Sequence, residues 1–324
     1  FTVLSFVIGI NNASLAILSQ QKGRKDHEGL KSYLNAFVVI LSVMAIVFGI
    51  FGYIFSEQLL NLLGTPDNIM QDAKAYLQVN FFGMLFLFGY NFISTVLRAM
   101  GDSKTPLRFV GLSVILNAVL CPLFIAGFGM GVEGAAYATV LAQGSAFAYG
   151  LIYVLYRRLA PFQIPRLPKW KEVGLILRLG IPSALQMSVI SAGSAAIMSV
   201  VTRFGSDVVA GFGAAQRLDR LIMLPANALG TAVSSIAGQN IGVNNWQRVK
   251  KTKNYGLIYN FAIMSLIGIA LIILAPYGIR LFIQEEAAAQ FGTTYMRILA
   301  FCFPFLGINF ILNGIVRAAG AMYQ

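Results

Sequence analysis

Charged residues fall in short clusters, and between them the chain stays apolar over long distances. Nine stretches hold no Asp, Glu, Lys or Arg: 1–21, 32–56, 75–97, 109–132, 134–156, 179–202, 221–247, 254–279 and 298–316. Each is close to the ~20 residues a helix takes to cross ~30 Å of hydrocarbon. A spanning β-strand is about half that length and alternates in polarity, which these runs do not. Helices also close every backbone hydrogen bond within the segment, as lipid requires. The pattern predicts an all-α polytopic membrane protein with nine spans, and so many runs set aside the buried helices of a soluble fold.

Composition agrees: 57% of residues are hydrophobic and 11% charged, where a soluble domain carries about 25% charged residues. The net charge of +12 would suit nucleic acid if it formed one surface, so its placement decides. With the loop after the first span on the cytoplasmic side and alternation thereafter, one side holds 18 of the 24 basic residues and four acids. The other holds six basic residues and eight acids. That asymmetry follows the positive-inside rule. It puts the loops after Gln20, Met100, Tyr156 and Asn240 in the cytoplasm and leaves no nucleic-acid surface. Cys121 and Cys302 both lie within apolar runs and His27 is the only histidine, so no disulfide framework, metal site or cofactor is implied.

An internal repeat organises the chain. Ala13–Gly23 and Ala232–Gly242 align at an offset of 219 residues, which Lys31/Lys250, Asn35/Asn254, Gly49/Gly268 and Tyr76/Tyr295 keep. Phe82/Phe301, Phe86/Phe305 and Arg98-Ala-Met-Gly101/Arg317-Ala-Ala-Gly320 keep it too. One ungapped offset kept from residues 13–101 to residues 232–320 is hard to reach by apolar composition alone. The repeat divides the chain into an N-terminal bundle at 1–158, a linker at 159–171 and a C-terminal bundle at 172–324. Pro161, Pro165 and Pro168 stiffen the linker, and Arg166 and Lys169 make it basic. Matching the two copies predicts one further span before Phe1 and two after Gln324. That makes twelve, six per half, so spans 2–6 and 7–10 are present. An even number per half gives both bundles the same orientation, as in parallel-repeat transporters.

With these motifs in hand, the chain resembles the multidrug and toxic compound extrusion family over essentially its whole length. The resemblance rests on Gln20–Gly23 and Gly238-Gln-Asn-Ile-Gly242, on Leu97-Arg-Ala-Met-Gly-Asp-Ser-Lys-Thr-Pro106, and on Gly129-Met-Gly-Val-Glu-Gly-Ala-Ala136. It implies a prokaryotic transporter of the bacterial inner membrane, expected as a monomer, working by alternating access. An inward-driven cation would be exchanged for a small organic substrate, expected to be cationic and amphiphilic.

Polar groups inside spans are expensive in lipid and often mark the pathway. Asn91 and Ser94 are three apart on one helix face, with Tyr76 beginning the same helix; Asn117, Thr139 and Gln143 follow. The resemblance implies a polar cluster in the first-half cavity whose residue types Tyr76, Asn91, Asn117 and Thr139 match. Ser94 stands where a second Asn is expected, and Cys121 where an Asp is expected. A thiol in apolar surroundings stays protonated and cannot replace a carboxylate that carries a proton. The resemblance also implies a sodium site in the second half, built on a Glu and an Asp. Runs 179–202 and 298–316 contain no acid, only Gln186, Asn309 and Asn313 as candidates. The proton is therefore favoured over sodium. The plain alternative for all these polar residues is hydrogen bonding between helices.

Glu133, at an outer span end, and Arg217, Asp219 and Arg220 read as gating or structural polar groups, the last three as an ion-pair group. Pro182, Pro225 and Pro304 fall inside spans and are expected to bend them. Gly131, Gly134, Ala135 and Ala138 are expected to allow close helix contact. Two other functions compete with export. A flippase for lipid-linked precursors would need a cationic cavity, and the spans hold almost no Lys or Arg. A membrane-embedded enzyme would need a nucleophile and base, and no span contains a histidine.

Overall fold

The computed structural model describes residues 2–62, 65, 67–163 and 165–320. Among them the chain is helical in the order α1 (Thr2–Arg24), α2 (His27–Ile54), α3 (Ser56–Leu62), α4 (Asp67–Phe82), α5 (Met84–Ala99), α6 (Lys104–Pro122) and α7 (Gly131–Arg157). After the linker come α8 (Trp170–Val201), α9 (Ser206–Gly242), α10 (Trp246–Arg280), α11 (Glu286–Ala300) and α12 (Phe303–Ala318). Six of the described helices are long and apolar enough to cross a membrane, or eight counting each bent pair, α4 with α5 and α11 with α12, as one span. Of the remaining apolar run, residues 2–21 lie in α1.

The bends are a correction to the reading of Tyr76 and Asn91 as parts of one helix. Tyr76 lies on α4 and Asn91 on α5, and the two segments meet at 47°. Gly83 marks the break, pressed so tightly on Val140 of α7 that a side chain there would overlap it. Pro304 falls at the second bend, inside the span that α11 and α12 make together, as expected of a proline there. It occupies the first turn of α12, just past a 57° break, where its missing N–H costs nothing. Pro182 and Pro225, by contrast, are carried within unbroken α8 and α9. Gly134 does pack closely, against Phe124, but Gly131 meets nothing within 4 Å. Its φ of +57° instead makes the backbone turn that opens α7.

The 219-residue repeat survives in three dimensions. Asp26 caps α2 by accepting from Gly29 N, and Asn245 caps α10 by accepting from Arg248 N. A Cβ on Gly49 would lie 3.0 Å from Phe81 O, and one on Gly268 2.7 Å from Ala300 O, the same close approach in each copy. Gly101 and Gly320, with φ of +92° and +74°, end α5 and α12 just past Arg98 and Arg317. A left-handed glycine ends a helix without steric cost, and a cation there suits the helix dipole.

The chain divides into two compact units: 10–181, and 1–9 with 182–324. In the first, α5 packs on α2 and α7, and α6 on α7, around fully buried Phe37, Phe88, Leu97 and Phe109. The linker belongs to this unit. Asn35 of α2 donates through Nδ2 to Arg166 O (2.9 Å) and accepts from Arg166 N (2.7 Å), while Ser32 donates to Glu172 at the start of α8. In the second unit, α9, α10, α11 and α12 surround Met264, Ile279, Met296 and Phe303.

Candidate functional site

The structure brings two of the sequence-derived polar residues together across helices. Asn117 of α6 donates through Nδ2 to Thr139 Oγ1 of α7 at 3.1 Å, and that hydroxyl donates in turn to Ala135 O at 2.9 Å. Both residues are half-buried. Around Asn117 the neighbours on α6 are apolar, with Val114, Ile115 and Val119 exposed. Cys121, one turn further along α6, is a free thiol and also half-buried.

Asn91 and Ser94 behave differently. Asn91 Nδ2 donates to Leu87 O at 2.8 Å, and Ser94 Oγ to Tyr90 O at 2.8 Å, each closing on the turn below it. Ser94 is buried and Asn91 half-buried. Tyr76 is exposed and its carbonyl accepts from Asn80. Gln143 is half-buried on α7, one turn past Thr139. In the second unit, Gln186 is exposed on α8, and Asn313 donates to Asn309 along an open face of α12.

Glu133 lines a cavity of about 400 Å³ with Tyr53, Gln78, Phe82 and Tyr137, so it stands at an opening rather than inside the bundle. The expected ion-pair group does not form. Among the described residues the ion pairs are Lys31–Glu28, Lys74–Glu57 and Arg280–Glu286. Arg217, Asp219 and Arg220 are one to three positions apart on α9, and neighbours one or two apart on a helix do not face each other.

One polar residue escaped the sequence reading. Asn260 of α10 is fully buried and donates to Ala226 O of α9 (3.3 Å) and Gly307 O of α12 (3.1 Å), joining three helices. Its signal was available: it is an amide within the uncharged run 254–279. The repeat hid it, because its counterpart is Leu41.

These features define a helical membrane protein built from a duplicated bundle, with a small uncharged polar cluster inside its first copy. Comparison with known proteins carries the assignment further. The MatE family profile matches residues 1–123 and 182–323. The probable multidrug resistance protein YpnP of Bacillus subtilis is 58% identical over 323 residues, covering 100% of this chain and 73% of that protein. A second B. subtilis protein, probable multidrug resistance protein YoeA, is 31% identical over 99% of this chain and 72% of its own length. Among solved structures, the Vibrio cholerae MATE transporter VcmN D35N mutant superposes with a TM-score of 0.94 at 21% identity, over 99% of this chain and 74% of that one. The chain belongs to the multidrug and toxic compound extrusion family.

Proposed function

We propose that the protein exports small organic compounds, with cationic amphiphiles as the favoured class, by cation-coupled antiport. The observation that carries this reading is the Asn117–Thr139 pair. It places an uncharged donor and acceptor in an apolar wall between two spans, which suits weakly specific contact with varied amphiphiles. The names of YpnP and YoeA, both probable multidrug resistance proteins, support the same substrate class. Tyr76, Asn91, Ser94, Cys121 and Gln143 are proposed to extend the first-half site, with Gln186, Asn309 and Asn313 as second-half contacts.

The proton is the favoured coupling ion, because runs 179–202 and 298–316 contain no carboxylate to hold sodium. The protein works as a monomer in the bacterial inner membrane, with its basic loops cytoplasmic as charge placement supports. The flippase reading is disfavoured by the scarcity of Lys and Arg within the spans.

The test is reconstitution of the protein in liposomes, following a fluorescent cationic dye under imposed proton or sodium gradients. Dye movement driven by the proton gradient is expected. Movement that ignores both gradients rejects coupled antiport, and movement that follows sodium alone rejects the ion assignment.

A further inference from the structure

Leu155 and Phe162 each line two cavities at once, and the two cavities differ in chemistry. The first, about 520 Å³, lies among α2, α5 and α7 and is walled by Leu41, Phe88, Phe92, Phe147 and Leu151. Its polar side chains are confined to Ser42 and Gln163. The second, about 770 Å³, is lined by Lys22, Lys25 and Arg158 against one acid, Asp26, with Gln21 and His27 beside them. Asp26 is already engaged, since its Oδ1 accepts from Gly29 N at 2.8 Å. The second chamber is therefore net cationic and the first nearly all hydrocarbon.

The way the cations are held is a separate observation. Lys25 and Arg158 have φ of +56° and +51°, a left-handed conformation that only one other described non-glycine residue, Asn244, adopts. Each follows the end of a helix. Asp26 N donates to Gln21 O and Leu159 N to Val154 O, the closing turns of α1 and α7. Such turns normally take glycine, and the chain does use glycine to end α5 and α12. At these two ends it places a cation at a steric cost, and both cations line the same chamber.

We propose that this end of the N-terminal bundle binds an anionic phospholipid, with an acyl chain in the apolar cavity and its phosphate among Lys22, Lys25 and Arg158. The shared walls at Leu155 and Phe162 are where head group and chain meet. A free organic anion would use only the cationic chamber, and an uncharged lipid only the apolar one. Their adjacency in a membrane-embedded chain favours a molecule that carries both. Phe162, Gln163 and Pro165 of the linker line the chain cavity, and Asn35 pins Arg166 beside them. Bound lipid thus holds the linker against the first bundle.

The experiment titrates protein purified in uncharged detergent with phosphatidylglycerol or phosphatidylcholine of identical chains, reading bound lipid by native mass spectrometry. Phosphatidylglycerol is expected to bind more tightly than phosphatidylcholine. Lys25→Gln and Arg158→Gln should each weaken it about five-fold, the contribution of one cation at an anionic membrane surface, and weaken phosphatidylcholine less, because its choline offsets the charge of its phosphate. Ser42→Phe, which fills the chain cavity, should weaken both lipids without loss of helical circular dichroism. Equal binding of the two lipids, or phosphatidylglycerol binding untouched by either charge variant, overturns the site. Competition by glycerol 3-phosphate or inorganic phosphate at lipid-like concentrations would show a free-anion site and overturn the lipid assignment.

Discussion

Asn117 on α6 and Thr139 on α7 are joined by one hydrogen bond, Nδ2 to Oγ1 at 3.1 Å. Both helices expose much of their length: 6% of the apolar window of α6 and 33% of that of α7 are buried within the structure. An amide and a hydroxyl on such helices either meet each other or face lipid at a cost, so their pairing orients both spans toward a common side.

Asn117→Ala should cut transport while leaving expression intact, since a lost hydrogen bond between spans is worth only ~0.6 kcal/mol on average, up to ~1.7. If the amide also contacts substrate, a loss of about 1 kcal/mol there lowers affinity about five-fold. The comparison is dye flux and dye affinity in liposomes for Asn117→Ala, Thr139→Val and the double variant. The double variant should be no worse than the weaker single one. Unchanged flux in Asn117→Ala removes the residue from the site.

Gly268 lies so close to α11 that a Cβ would sit 2.7 Å from Ala300 O, whereas a Cβ on Gly111 meets nothing within 4 Å. Gly268→Ala should therefore destabilise the protein by about 1–3 kcal/mol through overpacking. Gly111→Ala on α6 should be neutral or stabilising by up to ~1 kcal/mol, because alanine is the better helix former. Thermal unfolding in detergent separates them; equal Tm values would contradict the packing described.

Asp102 gathers the start of α6. Its Oδ1 accepts from Lys104 N and Thr105 N, and its Oδ2 accepts the Thr105 hydroxyl at 2.5 Å. Burial alone would raise the carboxyl pKa, but these bonds and the nearby Arg108 outweigh it and hold the carboxyl below its usual range. A depressed carboxylate stabilises the fold above the unfolded pKa, and the contribution fades as pH falls through the folded value. Asp102→Ala should cost about 1 kcal/mol at neutral pH, as for other lost helix caps. The gap in Tm between wild type and variant should close on acidification. A gap that widens toward acid would invert the sign argued here.

The linker is held at Arg166 by both backbone bonds to Asn35. Asn35→Leu keeps the volume but removes the partners of a backbone N–H and C=O, a loss of about 1–3 kcal/mol in local stability. Trypsin cleavage after Arg166 or Lys169 should then accelerate about tenfold, which 1.4 kcal/mol of easier opening supplies. Cleavage at the wild-type rate would mean that the linker is anchored elsewhere.

The repeat pair Asn35/Asn254 shows how far the sequence could be read. Both positions are legible as copies, yet Asn35 is buried against the linker and Asn254 is exposed. The copies diverge because a side chain's surroundings come from segments distant in the chain, and Asn35 has the linker beside it. Asn91 and Ser94 make the same point. Their spacing correctly put them on one helix, but nothing in the spacing says that both would close on their own backbone rather than on Asn117.

By itself the sequence determined the solvent, the helices and the duplication. Hydrocarbon demands long uncharged runs with internal hydrogen bonds, and a copied bundle keeps its small residues at a constant offset because close contacts such as Gly49 with Phe81 and Gly268 with Ala300 recur. Only the tertiary structure decided which polar side chains meet, where spans break and which cations share a chamber. Those outcomes depend on helix rotation and on the gap at each crossing. A one-residue shift of a helix turns a side chain by about 100°, too fine a quantity for a pattern of apolar runs to set.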